Sequence, residues 1–246
     1  MPIKDDTLSV LHDWFYDPAL NAVVVDADDT LWYDARYFRR LRLALSSACQ
    51  QVGCDNSVIT SMLKAKFDGS LIGEIGYATA VLQTALEAGV KGEALQFLQD
   101  QIMAFRDHPI EMLPNAVDTL ILMGRFRRIL LTKGHQHEQE EKLARSGVLP
   151  LFTEIIIVPQ KDASVLRKAI ESIGSSCRSA IVIGNSIKFD VIPASEIGSK
   201  SVWLNHPENF HGSSGALPAE SHEVEGWMHI GMAISSQASP QKICDS

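Results

Sequence analysis

Val23-Val24-Val25 runs directly into Asp26-Ala27-Asp28-Asp29-Thr30. A continuous β-branched run reads as a strand buried on both faces, the signature of a parallel sheet. Carboxylates at the end of such a strand lower stability unless a cation or hydrogen bonds offset them. A local conflict of this kind marks functional positions. The chain is therefore expected to fold around a sheet whose first strand delivers acids to a site, with their partners supplied further along.

Downstream the pattern alternates. A short helix over 8–15 precedes the first strand at 22–26. Strands are then predicted at 128–131, 154–158, 179–183 and 201–204. Each ends in polar residues: Thr132-Lys133-Gly134, Gln160-Lys161-Asp162 and Gly184-Asn185-Ser186 follow the first three. Helices at 114–123, 135–145 and 164–173 separate these strands, and another runs from 186 to about Ile197 despite Pro193. Strands joined by single helices imply right-handed crossovers and a doubly wound parallel α/β sheet. Ligands of such sheets bind at the carboxyl ends of the strands. The segment 205–221 reads as loop, 225–234 as a last helix and 235–246 as a frayed end. Between 33 and 110 no β-branched run occurs. Helical spacing over 37–48, 58–63, 79–88 and 94–105 predicts a separate helical subdomain, broken near Gly53, Asp68-Gly69, Gly73, Gly76 and Gly89.

Composition narrows the function. With 246 residues, 46% hydrophobic, the chain can bury one α/β core and a smaller insert. A net charge of −8 argues against a nucleic-acid or anionic-membrane surface, and Arg39-Arg40-Leu41-Arg42 and Arg125-Phe126-Arg127-Arg128 read as solvated faces. No run approaches the ~18 apolar residues of a membrane span, and Met1–Asp17 does not resemble a signal peptide. Cys49, Cys54, Cys177 and Cys244 show no CxxC or zinc spacing, so reduced thiols in a cytoplasmic protein are expected.

The strand ends suit phosphoryl chemistry. Asp26 can attack an electrophilic centre, and Asp28, two residues on, can serve as general acid and base. Two anions beside a phosphoryl group require positive charge, from a divalent cation and a lysine. Lys161 is the candidate lysine, with Lys133 as its competitor. Thr132 offers a hydroxyl, and the amides after it lie at a helix N-terminus that favours anions. Asn185 and Asp190 can complete an oxygen shell for Mg²⁺. Asp29 reads as turn or cap chemistry, His135-Gln136-His137 as solvated helix start, and Lys168 as solvent-facing. Trp32 and Tyr33 read as packing where the chain leaves for the insert, and Arg36, Glu74 and Tyr77 as insert residues near a substrate.

Asp26-x-Asp28-x-Thr30, Thr132, Lys161 and Gly184-Asn185-Ser186-x-x-x-Asp190, in that order and at strand ends, resemble the four motifs of the haloacid dehalogenase (HAD) superfamily. The insert is similar to its C1-type cap. The resemblance covers roughly 20–205 and implies a core of residues 1–32 and 111–246 with a helical cap at 33–110. It implies a Mg²⁺-dependent phosphatase acting on a small phosphorylated molecule, as a monomer or homodimer. Asp26 would be the nucleophile and a metal ligand. Asp28 would be the acid/base, with its carbonyl on the metal. Thr132, Lys133, Gly134 and Lys161 would hold the phosphoryl group, and Asn185 and Asp190 would complete the metal site. Many family phosphatases carry Asp where this chain has Asn185, which leaves the metal site one charge short and resembles the metal-free dehalogenase branch. Asp28, which a dehalogenase does not need, favours the phosphatase. The alternatives are a 2-haloacid dehalogenase using the same Asp26 and a phospho-ligand-binding protein with little catalysis.

Overall fold

Val23 and Val25 pack with Leu11, Phe15, Leu120, Trp227 and Ile230 on one side of the sheet. Ala22 and Val24 pack with Leu166, Ile170 and Ala194 on the other. The period-two alternation of a strand thus feeds two apolar layers at once. The computed structural model describes residues 5–67, 73–209 and 216–236. Its six strands are β1 (Ala22–Val25), β2 (Arg127–Lys133), β3 (Glu154–Val158), β4 (Ala180–Gly184), β5 (Lys200–Leu204) and β6 (Ser221–Val224). All pair in parallel, in the order β3-β2-β1-β4-β5-β6. The strand order reverses beside β1, so β1 is flanked by β2 and β4, and their carboxyl ends converge. Val25 pairs with Leu130 and Ile183, and the Asp26 amide donates to the Ile183 carbonyl at 3.0 Å. The first acid is thereby held in register at the carboxyl end of a central strand.

Helices α1 (Asp5–Tyr16), α6 (Ala116–Leu122) and α10 (Trp227–Ser235) cover one face. Helix α7 (Gln136–Ser146) lies on the same side and contributes Leu143 to that layer. Helices α8 (Ala163–Ser172) and α9 (Ile192–Glu196) cover the other face. Between β1 and α6 the chain forms α2 (Ala35–Gln50), α3 (Asn56–Phe67), α4 (Gly73–Glu87) and α5 (Gly92–Arg106). These four helices bury an apolar cluster of their own, including Tyr37, Leu41, Leu45, Leu98 and Phe105. The segments entering and leaving this unit run side by side. The Tyr33 amide donates to Glu111 at 2.9 Å, and the Leu113 amide to the Leu31 carbonyl at 2.8 Å. Arg36 spans the junction, with its guanidinium 2.7 Å from Glu111 and 2.6 Å from Glu208.

Several expectations are corrected. Ser221–Val224 is a strand where a loop ending at 221 was expected; its Ser-His-Glu-Val sequence lacks an apolar run, and its hydrogen bonds come from pairing with β5 on one side only. Helix α4 begins at Gly73 and passes through Gly76 instead of starting near Thr79. Gly76 is buried there, so packing overrides its low helix propensity. The expected break at Asp68-Gly69 and most of the expected frayed end lie outside the described residues. The single helix expected to run to Ile197 is two pieces, a π-helical turn over Ile187–Val191 and then α9, with Pro193 in the first turn where its missing N–H costs nothing. Thr132 and Lys133 belong to β2 itself instead of following it. No helix among the described residues is long and apolar enough to cross a membrane.

Candidate active site

Asp26, Lys161 and Asp190 meet where β1, β3 and β4 end. Lys161 Nζ lies 2.8 Å from Asp26 Oδ1 and 2.5 Å from Asp190 Oδ1. Each residue reaches the site for a local reason. Asp162 caps α8 by accepting from the Val165 amide at 2.9 Å, which places Lys161 just before the helix, and its side chain is buried. Asp190 sits in the π-helical turn, a geometry concentrated at functional sites, and accepts from the Ser186 amide at 2.9 Å. Gly184 permits this approach, since a Cβ there would lie 2.2 Å from Asp190 Cγ. Thr30 Oγ1 donates to Asp26 Oδ2 at 3.0 Å.

Burial pushes the Asp26 carboxyl up to about 7; the Lys161 ammonium opposes this and the Asp190 charge adds to it. Burial alone would lower Lys161, but the Asp190 and Asp26 charges outweigh it and hold the ammonium above its ordinary value. The triad therefore carries two carboxylates against one ammonium. Lys161 Nζ, the cation at Asp190 Oδ1, is shared with Asp26 Oδ1. A further cation would balance the two carboxylates, and Asp26, Asp190 and the buried Asn185, which follows β4 directly, carry oxygen donors of the kind Mg²⁺ takes. Asn185 is held by its neighbours: its carbonyl accepts from Trp203 Nε1 at 2.8 Å and from Asn209 Nδ2 at 2.9 Å. Lys133 is half-buried and lies 4.1 Å from the Phe189 ring centroid, with Lys188 on the same ring at 5.1 Å. Burial and the Lys188 and Lys161 charges lower Lys133, consistent with its position in the same electropositive field.

Asp28 faces a different set of partners. It accepts from Trp32 Nε1 at 2.9 Å, Gln139 Nε2 at 2.7 Å and Lys142 Nζ at 3.0 Å. Thr132 Oγ1 lies 3.4 Å from Gln139 Oε1, so Thr132 is linked to Asp28 through that glutamine. Gly134 is needed for this packing, because a Cβ there would lie 2.8 Å from Gln139 Nε2. Lys142, itself buried, also reaches Asp34 at 2.6 Å and Glu74 at 2.8 Å, and His108 Nε2 lies 3.3 Å from Glu74. Asp34, Glu74 and His108 offer three potential metal-ligand atoms within 4.8 Å of one another. The Lys142 ammonium already provides positive charge at two of them. Burial, with the Asp28 charge beside it, pushes Asp34 up to about 8 against Lys142. Glu74 behaves oppositely: burial would raise it, but the His108 hydrogen bond and the Lys142 charge bring it to about 2. Burial would lower His108, but Glu74 holds it above its ordinary value.

The Glu74–His108 pair gives a pH prediction. Glu74 falls from 4.5 to about 2, so its contribution is full above 4.5 and is lost as pH falls toward 2. His108 rises from 6.5, so its contribution is full below 6.5 and is lost as pH rises through the folded value. The Tm difference between wild type and Glu74→Gln should therefore be greatest between about 4.5 and 6.5. Lys142 and Asp34 also face this pair and shape the flanks of the curve. A flat difference from pH 4 to 8 would exclude the pair as a stabilising contact.

The remaining expectations resolve simply. Asp29 lies in the left-handed region at φ 54° and accepts from the Asp34 and Ala35 amides at 2.9 and 3.0 Å, so it caps α2 as expected. Burial raises it to about 6 against those donors. His135, His137 and Lys168 are exposed. Tyr77 lies in the apolar core of the helical unit, and Trp32 is fully buried. A groove of about 570 Å³ between α7 and the β3 edge, lined by Leu143, Leu149 and Ile155–Ile157, holds none of these charged groups.

The architecture is shared with known proteins. A haloacid dehalogenase-like hydrolase from Xanthomonas campestris superposes with a TM-score of 0.73 at 25% identity, over 87% of this chain and 94% of that one. The chain has the fold of the haloacid dehalogenase-like hydrolases. The L-2-haloacid dehalogenase of Xanthobacter autotrophicus shares the fold, with a TM-score of 0.60 at 17% identity over 89% of this chain and all of that one. A glyceraldehyde 3-phosphate phosphatase from Pyrococcus abyssi is 25% identical over 86 residues, 33% of this chain and 36% of that protein. The matched segment thus spans about a third of the curated relative's length. No family model matches the sequence. Both phosphatases and dehalogenases are therefore represented among the proteins similar to this chain.

Gln139, Lys142, Asp34, Glu138 and His108 belong to no sequence motif, yet all five join the network around Asp28 and α4. One signal was present. Helix α7 must pack on the sheet, yet its inward positions are Glu138, Gln139, Lys142 and Leu143, three of them polar. A helix that buries polar groups needs partners for them.

Proposed function

We propose that this protein cleaves a small-molecule phosphomonoester through an aspartyl-phosphate on Asp26. The observation that supports this best is the buried triad of Asp26, Lys161 and Asp190, two carboxylates around one ammonium. An Asp26 oxygen attacks phosphorus, and the bond from phosphorus to the substrate's ester oxygen breaks. Asp28 gives that oxygen its proton. Asp28 then takes a proton from water, whose oxygen attacks the aspartyl-phosphate and releases inorganic phosphate and free Asp26. Lys161, Thr132 and the Lys133-Gly134 backbone hold the phosphoryl oxygens, and the Lys133–Lys188 field draws in the anion. Mg²⁺, held by Asp26, Asn185, Asp190 and the Asp28 carbonyl, would supply the remaining neutralisation of phosphoryl charge.

The test is release of inorganic phosphate from a panel of phosphometabolites with and without Mg²⁺. Mg²⁺-dependent phosphate release is the expected result. Halide release from 2-haloacids without Mg²⁺, and no phosphate from the panel, would replace this reading with the dehalogenase one, which the neutral Asn185 favours. At Asn185 a specific change follows: Asn185→Asp adds the missing charge and is expected to lower the Mg²⁺ concentration for half-maximal activity about tenfold, equivalent to ~1.4 kcal/mol of added binding. An unchanged or weaker metal requirement would place Asn185 outside the metal shell.

A further inference from the structure

Lys142 has three N–H donors, and each faces one carboxylate from a different part of the fold. Asp28 belongs to the loop after β1, Asp34 to the segment entering the helical unit, and Glu74 to α4 within that unit. Lys142 itself comes from core helix α7. Beside it on α7, Glu138 accepts from the Glu74 and Ile75 amides, both at 2.9 Å, and so satisfies the first turn of α4. Gly73 makes this seat possible, since a Cβ there would lie 2.0 Å from Glu138 Oε2. On the exit segment, His108 pairs with Glu74, and its carbonyl accepts from Arg145 of α7 at 3.2 Å. One face of α7 therefore grips both connecting segments and α4, and the same face, through Gln139 and Lys142, holds both oxygens of Asp28.

We propose that Lys142 is a positioning residue that couples the seating of the helical cap to the orientation of Asp28. All three donors are engaged only when α4 sits on α7. When α4 lifts, Glu74 and the Glu138 cap separate, and one Lys142 donor loses its partner. The ammonium then redistributes between Asp28 and Asp34, and the Asp28 carboxylate shifts against Trp32 and Gln139. Asp26 and Lys161 share no hydrogen bond or ion pair with Lys142, so the coupling acts first on Asp28 and, through Gln139, on Thr132. The inference rests on the phosphatase reading for its consequence in turnover, and on geometry alone for the coupling itself.

Two measurements separate these. The first reads the Trp32 indole N–H by ¹⁵N NMR, assigned with Trp32→Phe, because that proton is donated to Asp28. Neither Glu74 nor Glu138 is a hydrogen-bond partner of Trp32. Glu74→Gln and Glu138→Gln are expected to move the Trp32 resonance in the same direction as Lys142→Met, with Lys142→Arg intermediate. A Trp32 resonance that stays at its wild-type position in both glutamine variants would overturn the coupling, whatever the enzyme hydrolyses. These two variants also keep the test open if Lys142→Met fails to fold. The second measurement follows an aryl phosphate, whose leaving group needs little protonation. Lys142→Met should still release a burst of the aryl alcohol equal to the enzyme concentration, then turn over at least about 100-fold slower, because water activation by Asp28 limits the rate. Loss of burst and steady state in equal proportion would assign Lys142 a merely structural role and overturn the proposal. Absence of any aryl phosphate turnover in the wild type would instead count against the phosphatase reading, leaving the Trp32 resonance to decide the coupling.

Discussion

Asp26→Asn is expected to reduce turnover of an aryl phosphate by about 10⁴-fold or more, the scale seen when a nucleophile is removed from an otherwise intact site. The variant should nonetheless fold, and it should be more stable than wild type at alkaline pH. Burial pushes the Asp26 carboxyl up to about 7, so the folded state favours its neutral form. The sign follows directly. A carboxyl raised on folding loses stability as pH climbs from its unfolded value, 3.8, through its folded one. Asparagine stands in for the neutral form and avoids that loss. It also relieves the repulsion from Asp190, while Lys161 keeps Asp190 as its partner at 2.5 Å. The combination of lost activity and higher Tm above pH 7 is the mark of a strained functional residue. Thermal unfolding at pH 6 and 8, beside a phosphate-release assay, checks both halves. An active variant would remove Asp26 from the chemistry, and a variant that unfolds at lower temperature at pH 8 would mean that its charge is structural.

The parts of this site that could be read from the sequence are those fixed by strand topology. Asp26 and Lys161 follow apolar strand runs, and Asp190 lies four residues past Ser186 on the loop after another. In a parallel sheet the carboxyl ends of neighbouring strands must converge, so spacing along the chain translates into proximity. The partners of Asp28 obey no such rule. Whether Lys142 points to solvent or into a carboxylate cluster depends on where α4 and the two connecting segments settle, and those are long-range packing outcomes. Asp34 and His108 lie 74 residues apart in sequence, yet they reach the same lysine network from opposite ends of the inserted unit. The edge strand β6 was missed for a related reason. It carries no apolar run, and its hydrogen bonds to β5 are decided by the neighbour more than by its own residues. Gly76 was misread because helix propensity is a weak prior once a position is buried.

Replacement of Lys161 should have the largest effect on stability. Lys161→Met keeps the aliphatic stem but leaves Asp26 and Asp190 facing each other with no cation between them. Removing one partner from a buried ionic cluster costs about 3–5 kcal/mol, because the remaining charges stay desolvated and unpaired. For a chain of this length each kcal/mol moves Tm by about 2–4 °C, so a drop of about 6–20 °C is expected at pH 8. Hydrogen bonds from Thr30 to Asp26 and from the Ser186 amide to Asp190 remain, but neither supplies charge. The protein's remaining recourse is to bind a proton. Loss of the lysine raises Asp26 further, so the folded variant takes up that proton more readily and the defect should shrink as pH falls from 8 to 6. Millimolar Mg²⁺ should also return part of the lost Tm, and more of it than in the wild type, because the cation would fill the same deficit. Activity should be lost under all of these conditions, since protonating Asp26 restores stability by neutralising the carboxylate that the proposed mechanism uses as nucleophile. A Tm drop below about 2 °C at pH 8, corresponding to less than about 1 kcal/mol, would show that water screens the pair and that the charge conflict at the end of β1 is resolved by solvent instead of by Lys161.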